Sequence, residues 1–154
     1  MPLLLRTFGT LELLDESGTP LLGAAAQRLP LLILALAALH PEGMPRERLL
    51  KALWPGVAKV RARAVLKQHL YALRRDTGRP LLVGGTPRLK ADLGEVRVDA
   101  WEFTGHIRHG RIGEAIDLLR GDLLEALSPE DGSELAHLLG EVRERFASDM
   151  AMVQ

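Results

Sequence analysis

Lysine and arginine side chains are concentrated between residues 46 and 90 of this 154-residue chain. That segment holds 12 Lys and Arg residues but only two acids, Glu47 and Asp76. The chain as a whole has 20 basic and 20 acidic residues and a formal net charge of zero. Residues 1–100 carry 15 basic against 9 acidic residues, whereas residues 101–154 carry 5 against 11. Charge separated in this way indicates a basic binding surface in the first part and an acidic second part that is solvated or faces a partner.

The basic residues fall on one side of a predicted helix over residues 59–77. At 3.6 residues per turn, an apolar stripe that can pack on a core contains Ala62, Leu66, Leu70, Leu73 and Thr77. The opposite side presents Arg61, Ala64, Gln68, Tyr71 and Arg75, with Lys67 and Arg74 on one flank. Arg and Lys can donate to guanine and Gln can pair with adenine, so this face suits a helix in a DNA major groove. The alternative is an ordinary solvated surface helix, although such helices usually interleave Glu with Lys or Arg.

A basic hairpin is predicted directly after this helix. Two extended segments, 80–83 and 88–91, flank a Gly-Gly-Thr-Pro turn. Arg88 and Lys90 alternate with Leu89, so both can point to the same side and reach a phosphate or a minor groove. The predicted DNA-binding residues are therefore Arg61, Arg63, Ala64, Lys67, Gln68, Tyr71, Arg74, Arg75, Thr86, Arg88 and Lys90.

The elements that position these residues follow the order of a winged helix-turn-helix, an α+β fold. Apolar and turn residues predict two or three N-terminal strands over 2–8, 11–14 and 20–22. Three helices are predicted over 29–39, 46–54 and 59–77, and a further strand over 95–98. The acidic half is predicted to be helical over 101–109, 112–119, 123–127 and 134–150.

Little else in the sequence suggests chemistry. The chain has no cysteine, and its longest apolar run is too short to span a bilayer, so we expect a cytoplasmic protein without a membrane partner. His106 and His109 could share a metal, but no third ligand has an obvious matching position, and surface histidines are the better interpretation. The glycines at 84 and 85 lack the Lys-Ser/Thr of a phosphate-binding loop. We therefore predict no metal, no cofactor and no enzymatic activity.

Several short motifs resemble a known family. They are His40-Pro-Glu-Gly-Met-Pro-Arg-Glu-Arg-Leu-Leu, Ala52-Leu-Trp-Pro, Leu73-Arg-Arg before Gly78, Val96-Arg-Val-Asp-Ala-Trp-Glu-Phe and Gly113-Glu-Ala-Ile-Asp-Leu-Leu-Arg-Gly-Asp-Leu-Leu. Together they resemble SARP/BTAD-family bacterial transcriptional regulators, in which an OmpR-type winged helix is followed by a tetratricopeptide-like activation domain. The sequence departs from the family pattern at Ala64, at Ala72 and at Thr86-Pro87.

The resemblance implies a sequence-specific regulator that binds double-stranded DNA near promoters, in the nucleoid. It implies a recognition helix over 61–75, a loop over 54–60 that faces RNA polymerase and a wing over 86–90. It also implies an OmpR-like DNA-binding domain over 1–98, followed by a short, all-α, truncated activation-domain-like segment over 99–154. A truncated array leaves an apolar face that must pack on the winged helix, on a second copy or on another protein, and we favour a homodimer. The alternative function is a module that binds RNA polymerase or another regulator without reading DNA.

Overall fold

The chain folds around a helix that is apolar on almost every side. This helix, α1, spans Arg28–Ala38 in a computed structural model that describes residues 1–84 and 87–154. Pro30 lies in its first turn, where a missing N–H leaves no intrahelical hydrogen bond unmade. All residues from Pro30 to Ala38 are buried. Such a helix is stable only when other elements surround it, and the rest of the fold does so.

The described residues form six α-helices and two small sheets. The strands are β1 Leu3–Arg6, β2 Glu12–Leu14, β3 Met44–Pro45, β4 Leu82–Val83, β5 Arg88–Ala91 and β6 Val96–Val98. The helices are α1 Arg28–Ala38, α2 Arg46–Leu53, α3 Lys59–Thr77, α4 Asp99–Arg108, α5 Ile112–Asp117 and α6 Glu134–Ala151. A 3-10 turn spans Gly23–Ala26. The first three helices begin and end within one residue of the predicted positions.

Each of the two sheets has three strands. In the first, β1 is central and pairs antiparallel with β2 and parallel with β6. In the second, β5 is central and pairs antiparallel with β3 and β4, so that β4 and β5 form the hairpin that the sequence predicts after α3. Since β3 leads directly into α2, the hairpin is attached next to the helix-turn-helix.

The acidic half shares its core with the winged-helix part. The rings of Phe8 and Phe103 meet edge to face with centroids 5.5 Å apart, and those of Trp101 and Phe146 lie 4.9 Å apart. The indole Nε1 of Trp101 also donates to the Ala38 carbonyl at 2.8 Å. One continuous cluster of buried apolar residues runs through both parts. The boundary at residue 98 therefore stays a prediction about domains, whereas the shared core is observed.

A buried carboxylate holds the junction between the two parts. Asp99, the first residue of α4, accepts hydrogen bonds from the backbone N–H groups of Thr7 and Phe8 and from the Thr7 hydroxyl, at 2.5–3.1 Å. Only 3% of Asp99 is exposed. Burial raises the pKa of the Asp99 carboxyl, and these hydrogen bonds oppose that shift.

Two predicted elements differ from the structure. The helix predicted over 123–127 is wrong: Leu123 instead forms an isolated bridge with Phe8, and Leu124 has a φ of 54°. The Leu124 N–H donates to the Thr7 carbonyl at 2.8 Å, so this segment pairs with the chain that follows β1 instead of forming a helix. The third N-terminal strand is reduced to one bridge between Leu14 and Pro20. The 3-10 turn that follows it was not predicted.

Candidate nucleic-acid interface

Helix α3 has one buried stripe and one open face, as its sequence predicts. Ala62, Leu66 and Leu73 are buried, and Leu70 and Thr77 are half-buried. The helix ends at Gly78, whose φ of 68° is the left-handed conformation that glycine adopts without strain. All the α3 residues predicted to bind DNA are exposed: Arg61, Arg63, Ala64, Lys67, Gln68, Tyr71, Arg74 and Arg75.

An acid from α2 holds two cations near the start of α3. The Glu47 carboxylate lies 2.8 Å from the Arg63 guanidinium and 3.2 Å from the Lys59 ammonium. Hydrogen bonds from Arg63 and then from Lys59 lower the pKa of the Glu47 carboxyl. Arg63 is therefore engaged with the neighbouring helix, on the side of α3 that is turned away from Ala64 and Gln68.

The second acid of the basic segment secures the other end of α3. The Asp76 carboxylate accepts from Arg75 Nε at 2.8 Å and from the backbone N–H of Ala24 at 2.8 Å. Hydrogen bonds from Arg75 and then from Ala24 lower the Asp76 pKa to about 2. Glycine is required at position 23 beside this carboxylate. Gly23 has a φ of +68°, and an added Cβ would lie 2.5 Å from a carboxylate oxygen of Asp76. The two acids thus bind side chains near the two ends of α3, and the middle of the helix stays basic.

Three cations of α3 have no partner among the described residues. Among the residues that the structure describes, no ion pair or hydrogen bond engages the side chains of Arg61, Lys67 and Arg74. Lys67 and Arg74 lie two turns apart on the flank that faces the hairpin. They line a cleft of 250 Å³ whose opposite wall includes Leu82 and Gly84. A polyanion passing along this flank would meet cations that need not leave an internal partner first.

The wing adds two more exposed cations. Arg88 and Lys90 are exposed on β5 with Leu89 buried between them, in the alternation that the sequence predicts. A guanidinium nitrogen of Arg88 donates to the Gly43 carbonyl at 3.3 Å, which ties the strand to the loop before α2. Thr86, the remaining predicted DNA-binding residue, lies outside the described residues.

Two apolar side chains of the predicted polymerase-facing loop over 54–60 were not predicted to bind DNA. Val60 is 80% exposed and lies one helical turn before Ala64 on the outward side of α3. The sequence already indicates this exposure, because Val60 lies four residues before Ala64 and therefore on the same side of the helix. Trp54 is stacked on His69 of α3 with ring centroids 6.1 Å apart, which fixes the turn between α2 and α3.

The other candidate sites have simpler roles. The His106 ring lies 3.3 Å from the Glu114 carboxylate, and the His109 ring contacts the Gly105 carbonyl at 2.7 Å. Within residues 1–84 and 87–154, no group of three or more His, Asp or Glu side chains could hold a metal ion. In the same part of the chain, no helix is both long and apolar enough to cross a membrane.

The fold of this chain is similar to that of a protein of known structure. The fold resembles that of Mycobacterium tuberculosis EmbR, in a structure of that protein in complex with a low-affinity phosphopeptide. The two chains align with a TM-score of 0.62 at 18% sequence identity, over 97% of this chain and 42% of the EmbR chain. No protein-family model matches the sequence, and no curated protein matches it significantly. The likeness supports a SARP-like fold, and this chain spans less than half of the protein it resembles.

Proposed function

We propose that this chain is a DNA-binding transcriptional regulator that inserts α3 into the major groove and uses the β4–β5 hairpin as a wing. The observation that carries the proposal is the charge arrangement on α3. Both acids of the basic segment are engaged at the ends of the helix, while Arg61, Lys67 and Arg74 have no partner among the described residues. The SARP-like fold supports the same function, because it places a helix of this kind next to a wing.

The site divides into residues that position the protein and residues that read bases. Lys67 and Arg74, on the flank beside the wing, suit phosphate contacts, which add affinity for every sequence. Gln68 lies on the outward face and suits a base edge, where it would add preference for particular sequences. In this proposal the protein acts on the nucleoid in the cytoplasm, and the acidic half serves as a support or as the interface of a homodimer.

Fluorescence-anisotropy titrations across a salt series test the proposal. The duplexes are a random pool and fragments of the upstream region of the protein's own gene. We expect selective binding that weakens steeply with salt. The Arg74→Ala variant should bind all sequences about fivefold more weakly at physiological salt, with a salt slope smaller by about one. Gln68→Ala should instead change the order of preference among sequences.

A matched control is available in the acidic half. Arg108 is an exposed arginine on α4, so Arg108→Ala removes the same charge far from the proposed interface and should leave binding unchanged. Equal losses for Arg74→Ala and Arg108→Ala would indicate attraction by overall charge alone. Weak binding that is the same for all duplexes would contradict sequence reading.

One observation favours the alternative, a module that binds RNA polymerase or another regulator. The turn between α2 and α3 borders a groove of 360 Å³ whose lining includes Leu50, Trp54, Val57 and Ala62. An apolar groove at a turn can receive a side chain from a protein partner. If Gln68→Ala and Arg75→Ala both preserve regulation in cells, this alternative is correct and the basic face is not the reading surface.

A further inference from the structure

In the first half of α3, over residues 60–68, the centre of the outward face is less polar than its edges. Val60, Ala64 and Gln68 follow one another at intervals of four residues and form a single ridge along the helix. The cations lie beside this ridge, with Arg61 on one side and Lys67 on the other. Two of the three ridge residues are therefore aliphatic, on a face whose surroundings are basic.

Solvent exposure of this ridge is not explained by the fold. Val60 is 80% exposed, whereas the buried side of the same helix contains Ala62, Leu66 and Leu73. A single exposed aliphatic residue is ordinary on a protein surface. Here it lies next to a second small apolar residue and between cations, and this combination is complementary to a nucleic-acid groove that presents methyl groups between phosphates.

We propose that Val60 and Ala64 contact the C5-methyl groups of thymines while Gln68 pairs with an adenine, so that the DNA target has an A·T-rich core. This inference rests on the proposed function and specifies its ligand. Thymine carries the methyl group that an aliphatic side chain can contact in the major groove, and the Gln amide matches the N6 and N7 atoms of adenine.

The spacing of the three ridge residues along α3 determines how many base pairs of DNA they contact. Four residues of helix rise about 6 Å, and successive base pairs are about 3.4 Å apart. Val60 and Ala64 therefore contact positions about two base pairs apart, and Gln68 extends the contacted core to about four base pairs. The flanking cations are then placed over the phosphates on either side of the groove.

Selection from a random duplex pool provides the first step of the test. Sites bound by the purified chain are enriched and sequenced, and we expect A·T pairs at the positions of the core. In the best site, each thymine is then replaced in turn by deoxyuridine, which removes the methyl group and leaves base pairing intact. Wild-type protein should lose about fourfold in affinity at each contacted thymine, since one buried methyl group has that effect.

The Val60→Ala variant tests which thymine the Val60 side chain contacts. Val60 is exposed, and alanine favours helix, so the variant should fold. At the thymine that Val60 contacts, the variant should show a much smaller difference between thymine and deoxyuridine, while the difference at the other thymines remains. This double-mutant cycle separates a direct contact from a general loss of affinity. Ile116→Ala, at an exposed aliphatic residue of α5, is the matched control and should retain every methyl effect.

The outcomes distinguish this inference from the function on which it rests. The protein could select a defined site and yet bind equally well with deoxyuridine at every thymine. In that case the proposed contacts to thymine methyl groups are wrong, and the proposed function as a DNA-binding regulator is retained. A G·C-rich core contacted by Arg61 or Lys67 would also overturn it. If no sequence is enriched from the pool, both the inference and the proposed function fail.

Discussion

Helices α3 and α6 are alike in length and packing but use their charges in opposite ways. Both are long, and each buries one apolar stripe, which in α6 contains Leu138, Leu139, Val142 and Phe146. Most charged residues of α6 are paired with other elements: Glu134 and Glu141 both bind Arg48 of α2, and Asp149 accepts from Thr104 at 2.9 Å. In α3, by contrast, the middle of the helix has exposed cations without partners in the described structure.

The arginines of α6 show the same difference. The Arg143 guanidinium donates to the carbonyls of Leu123 and Leu124 at 3.1 and 3.3 Å, and that of Arg145 donates to the Leu39 carbonyl at 2.7 Å. These side chains satisfy carbonyl groups at the end of α1 and in the turn over 123–124. Net charge therefore does not reveal which surface binds a polyanion. The property that separates the two helices is whether a cation already has a partner, and on this measure α3 is the better candidate for binding a polyanion.

The largest expected effect comes from removing the carboxylate at the junction of the two parts. Asp99→Ala leaves the N–H groups of Thr7 and Phe8 and the Thr7 hydroxyl without their buried acceptor. We expect the free energy of unfolding to fall by about 3 kcal/mol, as measured by urea denaturation. Asp131→Ala, at an exposed acid, should change it little. A loss below about 1 kcal/mol for Asp99→Ala would show that the shared apolar core holds the junction alone.

A smaller effect is expected where α6 meets α2. Arg48→Ala removes both ion pairs to Glu134 and Glu141, and we expect a loss of stability of under about 1 kcal/mol because both acids are partly solvated. Hydrogen bonding to Arg48 lowers the pKa of the Glu141 carboxyl in the folded state. The contribution is therefore present above the ordinary carboxyl pKa of about 4.5 and is lost as the pH falls through the lower folded-state value.

Urea denaturation at several pH values checks the predicted direction of this pH dependence. The difference in the free energy of unfolding between wild type and Arg48→Ala should be constant near neutral pH and should decrease towards zero at acidic pH. Binding to DNA should not change, because Arg48 belongs to the structural set of charges. A difference that widens as the pH falls would contradict the assignment.

The smallest effect should appear in DNA affinity, through the acid that engages the start of α3. Glu47→Gln removes the negative charge that now holds Lys59 and Arg63. Both cations then become available to phosphates, so affinity for all duplexes should rise about twofold to threefold and the salt slope should steepen. Glu42→Gln, at an exposed acid in the loop after α1, controls for net charge. Weaker binding by Glu47→Gln would mean that Glu47 holds Arg63 in place for DNA.

Much of the winged-helix part could be predicted from the sequence because its signals are local. The periodicity of Ala62, Leu66 and Leu73 identifies the buried side of α3, and Gly78 marks its end. The exposure of Arg61, Lys67, Gln68 and Arg74 follows from the same period. The role of these residues in binding DNA is a proposal that neither the sequence nor the fold tests.

Long-range contacts decided what the sequence could not. Leucines in the 123–127 segment have helical spacing, yet Leu123 pairs with Phe8, just beyond the end of β1. Partners distant in sequence, such as Glu47 with Arg63 and Asp76 with Ala24, are equally invisible to local patterns. The sequence by itself determined which helices form and that α3 has a basic face, because both depend on neighbours within a few residues. Only the tertiary structure decided which of those cations are free, since ion pairs form between elements that folding brings together.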